Sequence, residues 1–215
     1  MKIGIIQASS QKDKNELLYK YTKLAVEKYG HEVINFGVFP DDKTNYSYIE
    51  TAINISLLLS SKAVDFIVSG CSSGQGMMLA CNSLPDVLCG YIPTPQDAYL
   101  FGRINDGNCA SFPLGLNFGW SGEINLQCTL EKLFDGPFGT GYPPKDSERK
   151  KHDTILLKQI NIITKSNWSN IIDQLDKSVV EKALTNHKVV EYILSNGTNT
   201  EVLKIIEKYT SNDIM

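Results

Sequence analysis

The stretch SGCSSGQGMM, residues 69–78, holds the parts of a proton-transfer site. Gly70, Gly74 and Gly76 allow a tight turn and a close backbone approach to a ligand. From Gln75 onward the spacing is helical, so a first turn there offers unpaired N–H groups and the positive end of a helix dipole. Cys71, beside that end, is expected to lose its proton more readily than a free thiol. A thiolate among such donors can take a proton from a carbon next to a carbonyl while the donors hold the oxyanion that forms. Its sulfur should then face an open cleft. The competing account is that most free cysteines are small buried hydrophobes. Spacing excludes three other loops. Met77 follows Gly76 where a Walker A loop needs lysine, and it also stands where a cysteine phosphatase loop needs a phosphate-clamping arginine. The dinucleotide fingerprint GxGxxG is absent after the first apolar run.

The elements that must position this loop follow from periodicity. Strands are expected over 2–7, 31–36, 64–69, 87–91 and 108–112, and helices over 15–28, 48–60, 75–82, 95–104 and 122–134. Gly30 is placed to stop the first helix, and Pro95 suits a first helical turn. The run 64–69 barely alternates, as in a strand buried on both faces. Alternating strands and helices with short links imply an α/β, doubly wound, five-stranded parallel sheet with helices on both faces. Ligands bind such sheets at the carboxyl ends of the strands, and the loop from Ser69 leaves one of them.

After Phe134 the chain turns rich in glycine, proline and charge. Beyond that connector only helices are expected, over 152–165, 167–174, 178–185, 188–195 and 199–209, the last with a capping box from Thr198 to Glu201. Residues 1–144 therefore read as one domain and 145–215 as an α-helical C-terminal extension, either a subdomain or an arm around a partner subunit. Trp120 and Trp168 are read as packing residues, and Asp97 as a carboxylate facing a helix dipole.

Composition narrows the class. A chain of 215 residues with 42% hydrophobic and 21% charged residues can bury a sizeable core. A net charge of −3 gives no pull toward nucleic acid or an anionic membrane, and no apolar run reaches the length of a membrane span. The apolar start, 1–7, is too short for a signal peptide. The five cysteines (71, 81, 89, 109, 128) form no CxxC pair, and the histidines (31, 152, 187) are scattered, which argues against a zinc site. Reduced thiols fit a cytoplasmic protein. Neither a metal nor a cofactor is expected.

Several motifs fall in a telling order: KIGII at the start, GHEVINFG (30–37), NYSY (45–48), CSSGQGM (71–77), ACNSLPDVLCG (80–90) and INDGN (104–108). Together they resemble ribose-5-phosphate isomerase B and the galactose-6-phosphate isomerases over the first two thirds of the chain. The resemblance implies a Rossmann-like αβα sandwich, a homodimer or dimer of dimers, and active sites between subunits. It implies a metal-free aldose–ketose isomerase, an intramolecular oxidoreductase, acting on a phosphorylated sugar through a cis-enediol. Cys71 then matches the general base, and Ser73 a residue that shuttles protons at the sugar oxygens. The N–H groups of Ser72, Ser73, Gly74, Gln75 and Gly76 would form the anion hole. Ser9 and Ser10 fall in the family's first substrate loop, Tyr46 matches a pocket tyrosine and Asn105 a sugar-binding asparagine.

The departures concern the substrate-reading shell. Ile104 stands where the family opens the sugar ring with histidine, and Ala8-Ser9-Ser10 replaces an Asp-His pair. The phosphate-binding arginines after the last core helix have no match in register; Lys145, Arg149, Lys150 and His152 are candidate replacements, each otherwise a solvated linker charge. These differences imply another sugar, bound open-chain or through a different anionic group. The alternatives are a non-catalytic sugar-phosphate-binding protein and an epimerase using the same base.

Overall fold

A computed structural model describes residues 1–211; the last four residues of the extension lie outside the described residues. Five strands, β1 (Lys2–Ile5), β2 (Glu32–Asn35), β3 (Phe66–Cys71), β4 (Cys89–Tyr91) and β5 (Cys109–Pro113), form one parallel sheet in the order β2-β1-β3-β5-β4. All six residues of the central β3 are buried, as its unbroken apolar run requires. Its side chains alternate between two cores. Phe66 and Val68 join residues of α1 (Asn15–Val26), α4 (Pro95–Leu100) and α5 (Gly122–Leu133). Ile67 and Cys71 join residues of α2 (Tyr48–Ser60) and α3 (Gln75–Asn82) on the other face. The α/β expectation therefore holds, with α2 and α3 at their expected limits.

Three local expectations are corrected. β3 runs to Cys71 rather than ending at Ser69, because pairing with β5 carries it on through Gly70 opposite Phe112 and Cys71 opposite Pro113. The expected helix over 95–104 is α4 followed by a π-helical turn, Phe101–Asn105, stopped by Asp106 in the left-handed region at φ 50°. The amino end of the last helix is capped by Asn199, whose side chain accepts from the Glu201 N–H (3.1 Å), and the Glu201 carboxylate is drawn away to the Ser169 hydroxyl. The capping box lies instead at Ser47, whose N–H donates to Glu50 (2.6 Å).

The extension forms α6 (Ser147–Thr164), α7 (Trp168–Ile171), α8 (Lys177–Leu184), α9 (His187–Asn196) and α10 (Thr200–Ser211). Its packing explains α2, which is buried from Glu50 to Ser60. A helix apolar on every side must be covered on every side. The sheet covers one side, and Trp168, Val180, Ala183, Val189 and Ile206 close the same core from the other. The Trp168 indole donates to Ser56 Oγ at 3.0 Å, so its only polar atom is satisfied in the interior. Trp120, expected to pack likewise, is fully exposed just before α5.

Helix α6 crosses the amino edge of the sheet. Thr154 donates to the Ile104 carbonyl, Asn161 to the Val87 carbonyl (3.1 Å), and Lys158 pairs with Asp106. Its outer side leaves Ile155, Ile160, Ile162 and Ile163 exposed. Among the described residues no helix is long and apolar enough to cross a membrane. Trp168→Ala should cost about 3–5 kcal/mol in equilibrium urea unfolding, the usual cost of emptying a large aromatic site. A midpoint unchanged by that substitution would contradict the covering role of the extension.

Candidate active site

Cys71 ends β3 at the carboxyl edge of the sheet, and β5 holds the chain there. Its carbonyl accepts from the Leu114 N–H (3.0 Å), and the Ser72 carbonyl accepts from Gly115 (3.0 Å) and Leu116 (2.7 Å). The turn into α3 is made at Gly74, whose φ of +75° disfavours any side chain. A Cβ there would lie 2.8 Å from the Tyr91 ring and 2.9 Å from the Phe112–Pro113 backbone. The Gly74 carbonyl accepts from the buried Ser111 hydroxyl at 2.6 Å. So pinned, the first turn of α3 directs its N–H groups beside Ser72 and Ser73. Of the five expected anion-hole donors, the Gln75 N–H is engaged by Ser73 Oγ at 3.3 Å.

The loop after β1 meets this turn. Ser72 Oγ donates to Ser10 Oγ (3.3 Å) and accepts from Gln11 Nε2 (3.0 Å). Ser9 Oγ accepts from the Tyr46 N–H (2.6 Å), which ties the third loop to the first. Beneath them the buried Gln7 and Asn15 and the half-buried Asn35 form an amide chain. Asn15 donates to Gln7 Oε1 (2.8 Å), Asn35 to Asn15 Oδ1 (2.7 Å), and Gln7 to the Val38 carbonyl (2.8 Å). The sequence reading did not single out Gln11, because a glutamine carries no motif; its place is set by the kink at φ −130°, ψ 36°. Tyr46 is buried, and its hydroxyl shares a hydrogen bond with Thr185 of the extension (3.0 Å). The tyrosine at the loop is Tyr48, 43% exposed, whose ring would lie 3.6 Å from a Cβ at Gly76.

Two features differ from expectation. Cys71 is only 8% exposed and borders the apolar core, so within one chain it is the floor of the loop rather than the wall of an open cleft. Ser72 and Gln75 form the exposed rim. Asn105 lies at the other edge of the sheet. Ile67 donates to the carbonyl of Asn108, which puts Asn108 about 13 Å below the level of Cys71 along the strand direction, and Asn105 ends the helical turn that leads into it. The two arginines of the chain are both engaged away from the loop. Arg103 is buried and caps α5 by donating to the carbonyls of Leu133 and Asp135, and burial lowers its pKa; Arg149 pairs with Asp153 on α6.

Spacing argued against a metal site, yet the fold brings three thiols together. The sulfurs of Cys81, Cys89 and Cys109 lie within 4.8 Å of one another, all buried. Hydrogen bonding from Cys109 and Cys89 lowers the Cys81 thiol, and burial pushes Cys109 up. The available signal was indirect: Cys89 and Cys109 begin neighbouring strands in register, which no sequence interval reveals.

The sequence model of a family described as Ribose/Galactose Isomerase matches residues 3–120. The chain belongs to that family. Its fold and family make it a sugar isomerase of the ribose/galactose type. A solved 4-deoxy-L-threo-5-hexosulose-uronate ketol-isomerase, complexed with a tartrate, is similar over 98% of this chain and 100% of its own, at 33% identity and a TM-score of 0.93. A ribose-5-phosphate isomerase from Vibrio parahaemolyticus is similar over 97% and 99%, at 32% identity and a TM-score of 0.92. A type B ribose 5-phosphate isomerase from Trypanosoma brucei shares the fold at 18% identity and a TM-score of 0.58, with 97% of its chain spanning 72% of this one. The first two match nearly the full length, extension included. No curated protein sequence matches the chain.

Gly74→Ala should lower stability by at least about 1–2 kcal/mol, the cost of forcing a side chain into the left-handed region, and should cut turnover sharply. Urea unfolding and activity, measured on the same preparation, check both.

Proposed function

We propose that the protein interconverts an aldose and a ketose by moving one proton between adjacent carbons, with Cys71 as the base. The thiolate takes the proton from the carbon beside the carbonyl, and the bonding pair moves to the carbonyl oxygen. The resulting enediolate rests against the N–H groups of Ser72, Ser73, Gly74 and Gly76, and Gln75 joins when substrate displaces Ser73 Oγ from its N–H. Ser73 moves the hydroxyl proton between the two oxygens, and the Cys71 thiol returns its proton to the neighbouring carbon. The observation that carries this reading is a cysteine at the end of the central strand, directly before a glycine turn into a helix.

The substrate is an open-chain sugar acid, read through a carboxylate. Ile104 leaves no ring-opening histidine at its position, and both arginines are committed elsewhere. The neutral donors Ser9, Ser10, Gln11 and Ser72 suit a carboxylate and its adjacent hydroxyls, and a relative at 33% identity is named for a hexosulose uronate. A sugar phosphate is the second reading, favoured by the ribose-5-phosphate isomerase at 32% identity.

The working unit is a homodimer. Asn105 and Cys71 lie at opposite edges of one chain, so they meet only when a second copy presents its amino edge. Each edge carries apolar surface for such a contact, Ile160 and Ile163 of α6 at one and Ile49 and Leu79 at the other. On this reading residues 1–144 form the catalytic body, and 145–215 cover α2 and supply the α6 face.

In heavy water, hexosulose uronates and pentose and hexose phosphates should be compared in parallel. Deuterium is expected at the carbon beside the carbonyl of the uronate, with exchange reduced at least 100-fold by Cys71→Ala. Exchange with phosphates alone would transfer the assignment to the second reading, and exchange surviving Cys71→Ala would remove the thiol from the chemistry. Mixing Cys71→Ala with Asn105→Ala, each impaired alone, should recover activity, since a mixed dimer keeps one intact site. Recovery at the level of the separate variants would place both residues in one subunit's site.

A further inference from the structure

The three-thiol cluster lies outside the chemistry described above. Cys81 is in the last turn of α3, and Cys89 and Cys109 open β4 and β5. Three separate elements thus deliver one sulfur each to one point, with all three residues free of disulfides and 0%, 8% and 0% exposed. The ligand-bearing backbone is held rigidly. Asn82 accepts from the Cys89 N–H (2.9 Å) and donates to the Cys89 carbonyl (2.8 Å), fastening the end of α3 to the start of β4. Register pairing fastens Cys89 to Cys109.

We propose that Cys81, Cys89 and Cys109 form a trigonal thiolate site for a soft d10 cation, Cu(I) foremost. A metal–sulfur bond of ~2.3 Å places three trigonal sulfurs ~4 Å apart. The observed separations, all within 4.8 Å, need only a small contraction to reach that spacing. An all-sulfur set selects thiophilic ions and rejects magnesium or calcium, which want oxygen. Among the described residues no carboxylate or imidazole joins the cluster, so three-coordinate Cu(I) is satisfied where tetrahedral Zn(II) still needs a fourth ligand. Binding releases thiol protons to solvent and leaves net negative charge in the interior. Lys165 faces it: its ammonium group donates to the Val87 carbonyl (2.8 Å), and its charge acts on both Cys81 and Cys89. Cys89 also lines a cavity of about 370 Å³ together with Asn82, Asn105 and Leu157.

The bound ion would tie the end of α3 to β4 and β5, at the opposite end of that helix from Gln75 and Gly76. It stabilises the scaffold and takes no part in proton transfer.

The test uses the full-length protein, reduced, stripped of metal and kept anaerobic. It is titrated with Cu(I) against a competing chelator, and separately with Zn(II). One equivalent of Cu(I) should be retained, with a thiolate-to-metal band in the near ultraviolet and a raised Tm. Cys89→Ser should lose all three signals, and Cys128→Ser should keep them. Because a core substitution can perturb folding, alkylation mapping of the wild-type protein supplies a second reading. Under mild denaturant the ion should shield Cys81, Cys89 and Cys109 from alkylation while Cys128 reacts equally with and without it. Failure to retain Cu(I), retention undiminished in Cys89→Ser, or absence of selective shielding each overturns the site. Retention of Zn(II) but not Cu(I) overturns the trigonal assignment.

Discussion

The rest of the structure depends on the left-handed turn at Gly74. Its backbone approaches Tyr91 and Pro113 too closely for any side chain, and its carbonyl is held by a hydroxyl inside the sheet. That one residue converts the direction of β3 into the direction of α3. It sets where the N–H groups of the first turn point and how far they stand from the Cys71 sulfur. The sheet around it is arranged for support. β3 has neighbours on both sides and cores on both faces, so its last residue has little freedom. The proton transfer proposed for this loop would draw on that rigidity, because fixed donors act without reorganising as charge develops.

Around the turn the chain uses amides and hydroxyls where fixed charges are the commoner choice. Gln7, Asn15 and Asn35 form one largely buried network under the first loop, and Gln11, Ser10 and Ser72 form a second at the surface. Neutral donors of this kind hold a loop in place without imposing a strong field on the thiol beside them. The one buried guanidinium, Arg103, is spent on the carbonyl end of α5, where it closes a helix rather than grips a ligand.

Much of this was legible in the residues. Helices α2 and α3 have the limits that periodicity predicts, and Gly30 ends α1 and its 3-10 turn as a left-handed cap should. The strand count and the carboxyl-edge position of the loop followed from alternation alone. What the sequence withheld was set by contacts between distant segments. Cys71 joined β3 because β5 pairs with it. Tyr46 turned to Thr185 because the extension lies over it, and Tyr48 took the place beside the loop. Trp168 and Trp120 are chemically alike, yet only one has a core within reach. Asn105 falls at the far edge of the same chain from Cys71, since a motif carries order along the chain and no statement of where its residues meet.

The burial of α2 also bears on how the chain is made. Ile53, Ile55, Leu57 and Leu58 leave the ribosome long before Trp168, Val180 and Ile206 exist to cover them. Until the extension is synthesised, one side of the sandwich is an open apolar surface. Residues on both sides of position 144 therefore share one core. A shortened chain ending there would leave the apolar side of α2 uncovered, the kind of surface through which partly folded chains associate.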